Sequence, residues 1–473
     1  MTQPEDALRS SSTSNPKPPS FGGRIVRAIL GRVPRLSRPA LFYETFYNFG
    51  SGAFLSLFLL SLAALKSDTI FSPAGTKEHL MLVAAMFGGS SMLSPLVTYA
   101  GRKIPMKLLV VFPNLLVAAL LLNTILWRNA TVFAVTVGLA FLIRVFPRVA
   151  EMNMYRVLYP NTHRGRAVGW LRGVAAVAGL VTAVLGTLWF SRMPQYYWAV
   201  YCAVAVAMVA STTAYWMIPV SNRTILRPTQ KSVAPPRAFW QGIRILCSDT
   251  RFVRYQLGFW LAGFANHMSH AYIAESLKTD AQASSTAIFW IVAILPATFM
   301  AASSPVWGRF LDRVNPMTGR ALFNSLQFVA YGCHFYGGWT AQVWPFVVGS
   351  IIHAIGNGGG TINWLTGSLY FAKPEQVPLY TSVHVGLTGV RGMIAPIVGV
   401  ALYGSSLTIF GVVLPGLGLG PFIFFISALL SLSGSCFMIY LSRHDEGPAE
   451  LVQPADEKKL KRPNKEVVVE QAS

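Results

Sequence analysis

Along residues 40–442 polar residues come in short clusters, and apolar residues run in long stretches between them. Twelve of these stretches approach the roughly 20 apolar residues that carry a helix across a hydrocarbon core. Six lie near 40–64, 79–100, 106–127, 131–155, 167–190 and 196–217. Six more lie near 252–277, 284–306, 320–338, 343–371, 377–403 and 411–442. The pattern predicts an all-α polytopic membrane protein with twelve transmembrane helices. The last run is long enough to tilt or to break at Gly416, Gly418 and Gly420.

Three segments fall outside the runs. Residues 1–39 form a basic tail whose first twenty residues are polar, rich in Ser and Pro, and without the apolar core of a signal peptide. The first apolar run is therefore expected to act as the insertion signal. Within that tail, residues 21–38 interleave Ile25, Val26, Ile29 and Leu30 with Arg24, Arg27 and Arg32. That pattern suits either a helix lying on the inner leaflet or a solvated lead-in. Residues 218–251 form a middle loop with Arg223, Arg227, Lys231, Arg237, Arg244 and the pair Pro235 and Pro236. The loop separates a six-helix half at 40–217 from a second at 252–442. Residues 443–473 are charged and read as a disordered tail.

Composition agrees with this picture. Of 473 residues 53% are hydrophobic and 12% charged, and mean hydropathy is +0.47. A soluble chain carries roughly twice that charged fraction, which excludes an ordinary cytosolic enzyme, a disordered chain and a collagen-like fibre. Lys and Arg total 39 against 18 acids, a formal charge of +21. These cations concentrate in the loops and tails on one side of the predicted helices. Lys66, Lys77, Arg128, Arg192 and Lys278 are those that fall on the other side. The positive-inside rule then puts both termini in the cytoplasm, and the charge reports orientation rather than nucleic-acid binding. Cys202, Cys247, Cys333 and Cys436 have neither metal-ligand nor disulfide spacing and read as small apolar fillers.

The halves repeat each other weakly. Tyr43 to Lys66 opens the first and Tyr255 to Lys278 the second, both ending in Leu-Lys and sharing Ala53 and Ala265. Further on, Trp170, Arg172 and Gly173 face Gly389, Arg391 and Gly392, and Pro160 faces Pro374. Their common order and near-constant offset signal a repeat. Two such halves rocking about a site near the midplane are a known transporter architecture.

With this organisation the chain resembles the major facilitator superfamily over about residues 40–442. That family carries Gly-x-x-x-Asp-Arg/Lys-x-Gly-Arg/Lys-Arg/Lys between the second and third helices of each half. Gly308 to Arg313 matches its first six positions, with Asn315 in place of the second Gly. In the first half Gly101, Arg102 and Lys103 match the end, while Ser94, Thr98 and Tyr99 replace the opening Gly, Asp and Arg. The resemblance implies gating by Gly308, Asp312 and Arg313, and by Gly101, Arg102 and Lys103. Charge pairs at helix ends would close the inner side in one state and break in the other. It also implies that the first, fourth, seventh and tenth helices line a central cavity.

Ionisable residues inside the hydrocarbon are costly and tend to serve function. Glu44, Glu151 and Glu275 are the acids within predicted spans; Glu44 and Glu275 sit near span ends, within reach of water. On the fourth helix Arg144, Arg148 and Glu151 share one face, with Pro147 between the arginines. The arginines suit an anionic group of the substrate, and Glu151 suits proton coupling against Arg148. An internal salt bridge is the competing reading. Asn266, His267 and His270 on the seventh helix, and His353, Asn357 and Asn363 around Gly358 to Gly360 on the tenth, are further candidates for substrate binding. Phe46, Tyr47 and Asn48 are candidate lining residues on the first helix. Arg172 and Arg391 are expected to gate at the inner interface between the halves, capping carbonyls or lipid phosphate.

There is no phosphate-binding loop and no metalloprotease or nucleophile-elbow motif, so no cofactor, metal or enzyme chemistry is expected. Asn129 and Thr131 complete a glycosylation triplet on an outer loop. The expected function is transport of a small solute by alternating access, either as a facilitator or as a proton-coupled carrier, with an anion among the candidate substrates. A non-transporting receptor or scaffold, or a membrane-embedded transferase using His353, would be the alternatives. The expected partners are a small-molecule substrate and the lipids of the plasma or inner membrane, with a monomeric chain and no nucleic acid.

Overall fold

The computed structural model describes residues 38–448, apart from 66, 68–69, 72–76, 102, 127–128, 220–234, 271, 374–375, 405 and 410–411. The first half contains α1 (Arg38–Leu65), α2 (Lys77–Gly89), α3 (Ser94–Ala100), α4 (Met106–Asn123), α5 (Ala130–Ile143), α6 (Val145–Leu158), α7 (Asn161–Arg192) and α8 (Trp198–Trp216). The second contains α9 (Pro235–Ser248), α10 (Thr250–Ser269), α11 (Tyr272–Thr279), α12 (Ser285–Phe289), α13 (Leu295–Leu311), α14 (Pro316–Trp339), α15 (Trp344–Thr366), α16 (Val377–Tyr403) and α17 (Phe422–Arg443).

The breaks have local causes. Pro147 has no N–H to give the Ile143 carbonyl, and its ring crowds that turn, so α5 stops at Ile143 and α6 starts at Val145. Pro95 likewise follows a tightened 3-10 turn, Ser90–Leu93, between α2 and α3. A π-turn at Trp290–Ile294 absorbs Pro296 at the head of α13. Caps fix other starts: the Asn129 side chain accepts from the N–H groups of Thr131 and Val132, and Asn315 from that of Thr318.

Among the described residues eight helices are long and apolar enough to cross a membrane. The remaining four predicted runs coincide with α2–α3, α10–α11, α14 and α15. The first two are interrupted, and α10, α14 and α15 bury polar side chains such as Gln256, Asn324 and His353. Phe112, Leu126, Val206 and Val306 are exposed on the outside of the bundle and coat it with apolar surface.

Three predicted boundaries are corrected. The run 411–442 is helical only from Phe422, because Ser406–Ile409 and Val412–Pro415 pair as an antiparallel hairpin, β1 and β2. Gly418 and Gly420 then turn the chain at positive φ, 62° and 53°, where glycine carries no Cβ penalty. The middle loop contains the amphipathic helix α9, packed against α3, α10 and α16. The start of the charged tail is folded: Asp445 bonds Arg251, Asn315 and Tyr370. The basic segment 21–37 and the tail beyond 448 lie outside the described residues.

The packing between halves is lopsided. Gly165, Gly169 and Gly173 form a small-residue stripe on α7 against Gly308, Ser304 and Ala301 of α13, where backbones nearly touch. On the other flank Gly88 and Gly89 of α2 meet Gly392 and Met393 of α16. One apolar cluster joins Val149, Tyr155 and Val168 to Trp307, Ile362 and Val385, and so crosses between halves. The other clusters each stay within one half. The crossing cluster lies toward the end of the bundle that carries Asp312.

Candidate substrate site and gate

In the first half a buried charge network forms around Glu151 on α6. Its carboxylate lies 3.6 Å from Arg144, at the α5–α6 junction, and 3.6 Å from Arg172 on α7. Tyr47 of α1 donates to the same carboxylate. Arg144 also donates to Asn114 Oδ1 at 3.0 Å, to the Tyr47 hydroxyl at 3.2 Å and to Ser51. Arg172 donates to the Tyr155 hydroxyl at 2.7 Å. The network thus ties α1, α4, α6 and α7 together. Each charge is paired and hydrogen-bonded, the condition under which a buried ion pair is tolerated.

The shared face read from the sequence brings Arg144 and Glu151 together, but not Arg148. The break at Arg144 leaves Arg148 half-buried, with its guanidinium 5.8 Å over the Trp364 ring of α15, in the opposite half. It has no hydrogen bond or ion pair among the described residues. Arg148 is thus the cation of this face left unengaged, at the seam between the halves.

Glu44, placed by its sequence position near water, is buried and accepts from Tyr159 at 2.5 Å. Asn48 is fully buried and donates to the Glu44 carbonyl at 2.9 Å, so it supports α1. Phe46 points out of the bundle and is exposed.

In the second half Asn266 accepts from Tyr331 at 3.1 Å, and His267 is half-buried. His270 ends α10 and is exposed, with its ring 5.7 Å from that of His353. Buried His353 meets Gln327 and Asn357, each at 3.5 Å. Asn363 is separate from this group: it accepts from Tyr255 at 2.9 Å and donates to the Pro316 carbonyl at 2.8 Å, clamping α10, α14 and α15. The histidines and Asn357 share a wall of the second half, and Asn363 serves its packing.

The gate residues divide in the same way. Asp312 caps α13 and reaches the start of α7. It accepts from the Gly165 N–H at 2.6 Å and the Arg166 N–H at 3.2 Å, with Arg166 Nε at 3.2 Å. Gly308 lies directly on Gly165, which leaves room for this approach. Burial pushes the Asp312 carboxyl up to about 6, against the lowering pull of those backbone N–H groups. Arg313 is exposed and outside the latch; Arg166, which sequence reasoning missed, takes the cation's place. Beside the latch a cavity of about 200 Å³ is lined by Arg156, Arg164, Asp312 and Asn363.

On the other flank Ser94 donates to the Ser382 carbonyl at 2.7 Å and Thr98 to the Pro378 carbonyl at 3.0 Å. These two residues stand where the family motif has Gly and Asp. Their hydroxyls hold α3 to α16 without charge. Gly101 ends α3, and Lys103 lies 5.6 Å from the Tyr99 ring. Arg102 lies outside the described residues.

Arg172 and Arg391 require a correction of place. Both were expected at the interface between halves. Arg172 lies eleven residues into α7, about 16 Å along its axis, and turns into its own half toward Glu151. Arg391 lies midway along α16 and donates to the Phe259 carbonyl of α10 at 3.1 Å, also inside its own half. Loop position alone does not reveal this, because the helices start earlier than the apolar runs.

No family model and no curated protein matches the chain. Solved structures do match. The E. coli fucose:proton symporter is 13% identical, with 86% of this chain and 100% of that chain covered at a TM-score of 0.61. A bacterial homologue of the iron transporter ferroportin in an outward-facing state is 14% identical, covering 87% and 100% at 0.63. The human organic anion transporter MFSD10 is 11% identical, covering 85% and 99% at 0.63. At these identities the likeness establishes a shared fold.

Proposed function

We propose that this chain, which has the fold of the major facilitator superfamily, is a secondary carrier that moves a small anionic solute by alternating access. It crosses the cell membrane twelve times with both termini in the cytoplasm. The observation that carries the reading is the one-sided seam. Among the described residues the cross-half hydrogen bonds, to Asp312 from α7, from Ser94 and Thr98 to α16, and from Arg156 to Ala372, lie toward the Asp312 end. By charge that end is cytoplasmic, so the structure corresponds to a state closed inward. Rocking the halves apart there would break a small set of bonds and leave both half-cores intact.

Arg148 is the substrate's cation in this scheme. It sits on the seam, without an ion pair among the described residues, and a guanidinium fork suits a carboxylate or phosphate. Arg144 contributes through the network that holds α6 in place. Glu151 is the proton-coupling group: taking up a proton would release Arg144 and Arg172 and loosen α6 from α1 and α7. His267, His270, His353 and Asn357 supply polar contacts from the opposite half.

The test is uptake into proteoliposomes of anions first selected by thermal stabilisation of the detergent-purified protein. Saturable, pH-gradient-sensitive uptake that disappears in Arg148→Gln is expected. If selected anions bind but never cross, the chain is a receptor of transporter fold; if Arg148→Gln transports normally, the substrate site lies elsewhere.

A further inference from the structure

The second half contains two buried arginines that no acid among the described residues balances. Arg320, in the first turns of α14, stacks its guanidinium 3.8 Å from the centroid of the Phe259 ring and 4.5 Å from that of Phe323. Arg391 lies 5.5 Å from the same Phe259 ring and bonds the Phe259 carbonyl. Their relative exposures are 3% and 5%. Neither has an acidic partner among the described residues, and the Nε of each is buried without an acceptor. Arg320 makes no hydrogen bond there at all. Beside them Gln256 accepts at its Oε1 from His384 Nδ1 at 3.0 Å, and its Nε2 is likewise buried without an acceptor.

The first half shows what is missing. Arg172, the repeat counterpart of Arg391, is paired with Glu151, a carboxylate it shares with Arg144. In the second half the arginine persists and, among the described residues, no carboxylate stands beside it. A buried guanidinium without a counter-ion is strongly unfavourable, and here two share one aromatic ring. Gly263 is shaped for this arrangement: a Cβ there would occupy the position of the Arg391 guanidinium.

We infer that a dianionic oxyanion of the phosphate class binds between α10, α14 and α16, held by Arg320 and Arg391 and contacted by the Gln256 amide. One group with several oxygens can accept from both forks and cancel both charges. The site lies toward the Asp312 end, where α14 begins, so it fills from the cytoplasm or the inner leaflet. Free phosphate and a phosphomonoester lipid headgroup present the same chemistry. The site is separate from Arg148, and its test does not depend on transport.

The experiment measures binding of radiolabelled inorganic phosphate to the full-length protein in detergent. In parallel, thermal unfolding is followed in nanodiscs of zwitterionic lipid with and without phosphatidic acid. Wild type is expected to bind phosphate saturably, or to be stabilised by phosphatidic acid, and the arm that responds identifies the source. Arg320→Met and Arg391→Met are expected to weaken the response about tenfold or more, while Arg313→Gln, at an exposed arginine outside the latch, leaves it intact. Without either probe Arg391→Met is expected to unfold no earlier than wild type, since it removes an unbalanced charge; this separates lost binding from lost folding. Gly263→Ala keeps both arginines, displaces the Arg391 guanidinium and should weaken binding too. Wild type indifferent to both probes, or Met variants that respond like wild type, would overturn the assignment.

Discussion

Single side chains show how this molecule handles charge in an apolar setting. Glu151 is held by two guanidiniums and a tyrosine, so removing its charge leaves two buried cations facing each other. Glu151→Gln is expected to cost about 3–5 kcal/mol, read as earlier thermal unfolding in detergent. Adding Arg172→Gln should recover part of that loss; strictly additive effects would mean that the two residues do not interact. Asp312 behaves differently because its surroundings change with state. In the closed latch burial raises its carboxyl from the ordinary 3.8 to about 6, and opening would return it to water. The closed form then holds the proton more tightly, so acidification through roughly pH 6 to 4 should favour closure. Spin labels at the exposed positions Thr162 and Arg313 would approach as pH falls, and Asp312→Asn would flatten the response. A separation that grows on acidification would contradict this sign.

Elements meet through glycine where the halves must approach most closely. The Gly165, Gly169 and Gly173 stripe brings the α7 backbone onto α13, and at Gly308 the atoms in the way of an added methyl are backbone of Gly165 and Arg166, which cannot swing aside. Gly308→Ala is therefore expected to cost about 1–3 kcal/mol and to wedge the Asp312 end open. Both effects can be followed by thermal unfolding and by thiol labelling of a cysteine at Ser304, which is buried on α13 against Gly169. A variant as closed and as stable as wild type would remove this stripe from the gate. The proline breaks act in the opposite direction, setting helices apart rather than together. Ending α5 at Ile143 swings Arg148 away from Arg144 and leaves it facing Trp364.

For the whole molecule, sidedness rests on charge. A reporter fused at residue 230 should read as cytoplasmic, and a label on Gln282, in the short turn between α11 and α12, should be reached from outside. The reverse pattern would invert the topology and with it the direction of the gate. The halves are equivalent in helix order but unequal in electrostatics. The first sets Glu151 between Arg144 and Arg172, and the second leaves Arg320 and Arg391 without an acid among the described residues. That inequality is invisible to the repeat, which matches Arg172 with Arg391 and does not report what either one touches.

The sequence by itself determined the membrane class, two halves of long apolar runs, the middle loop dividing them, and the resemblance that the fold likeness matches. Long hydrophobic runs and cation bias act through the solvent, and the solvent's demand is written along the chain. Tertiary structure alone decided which polar residues meet. Arg144 and Glu151 share a predicted helical face, and the competing reading there is a salt bridge locking that helix to the first or second. The contributions of Tyr47, Asn114 and Arg172 come from other helices, and Arg166 reaches Asp312 from the opposite half. Those contacts depend on helix rotation and depth, which packing sets and hydropathy does not encode. The same holds for the exposure of His270, the burial of Asn48 and the clamp made by Asn363. Each residue type belongs equally to a cavity or to a core, and only its neighbours in space distinguish the two.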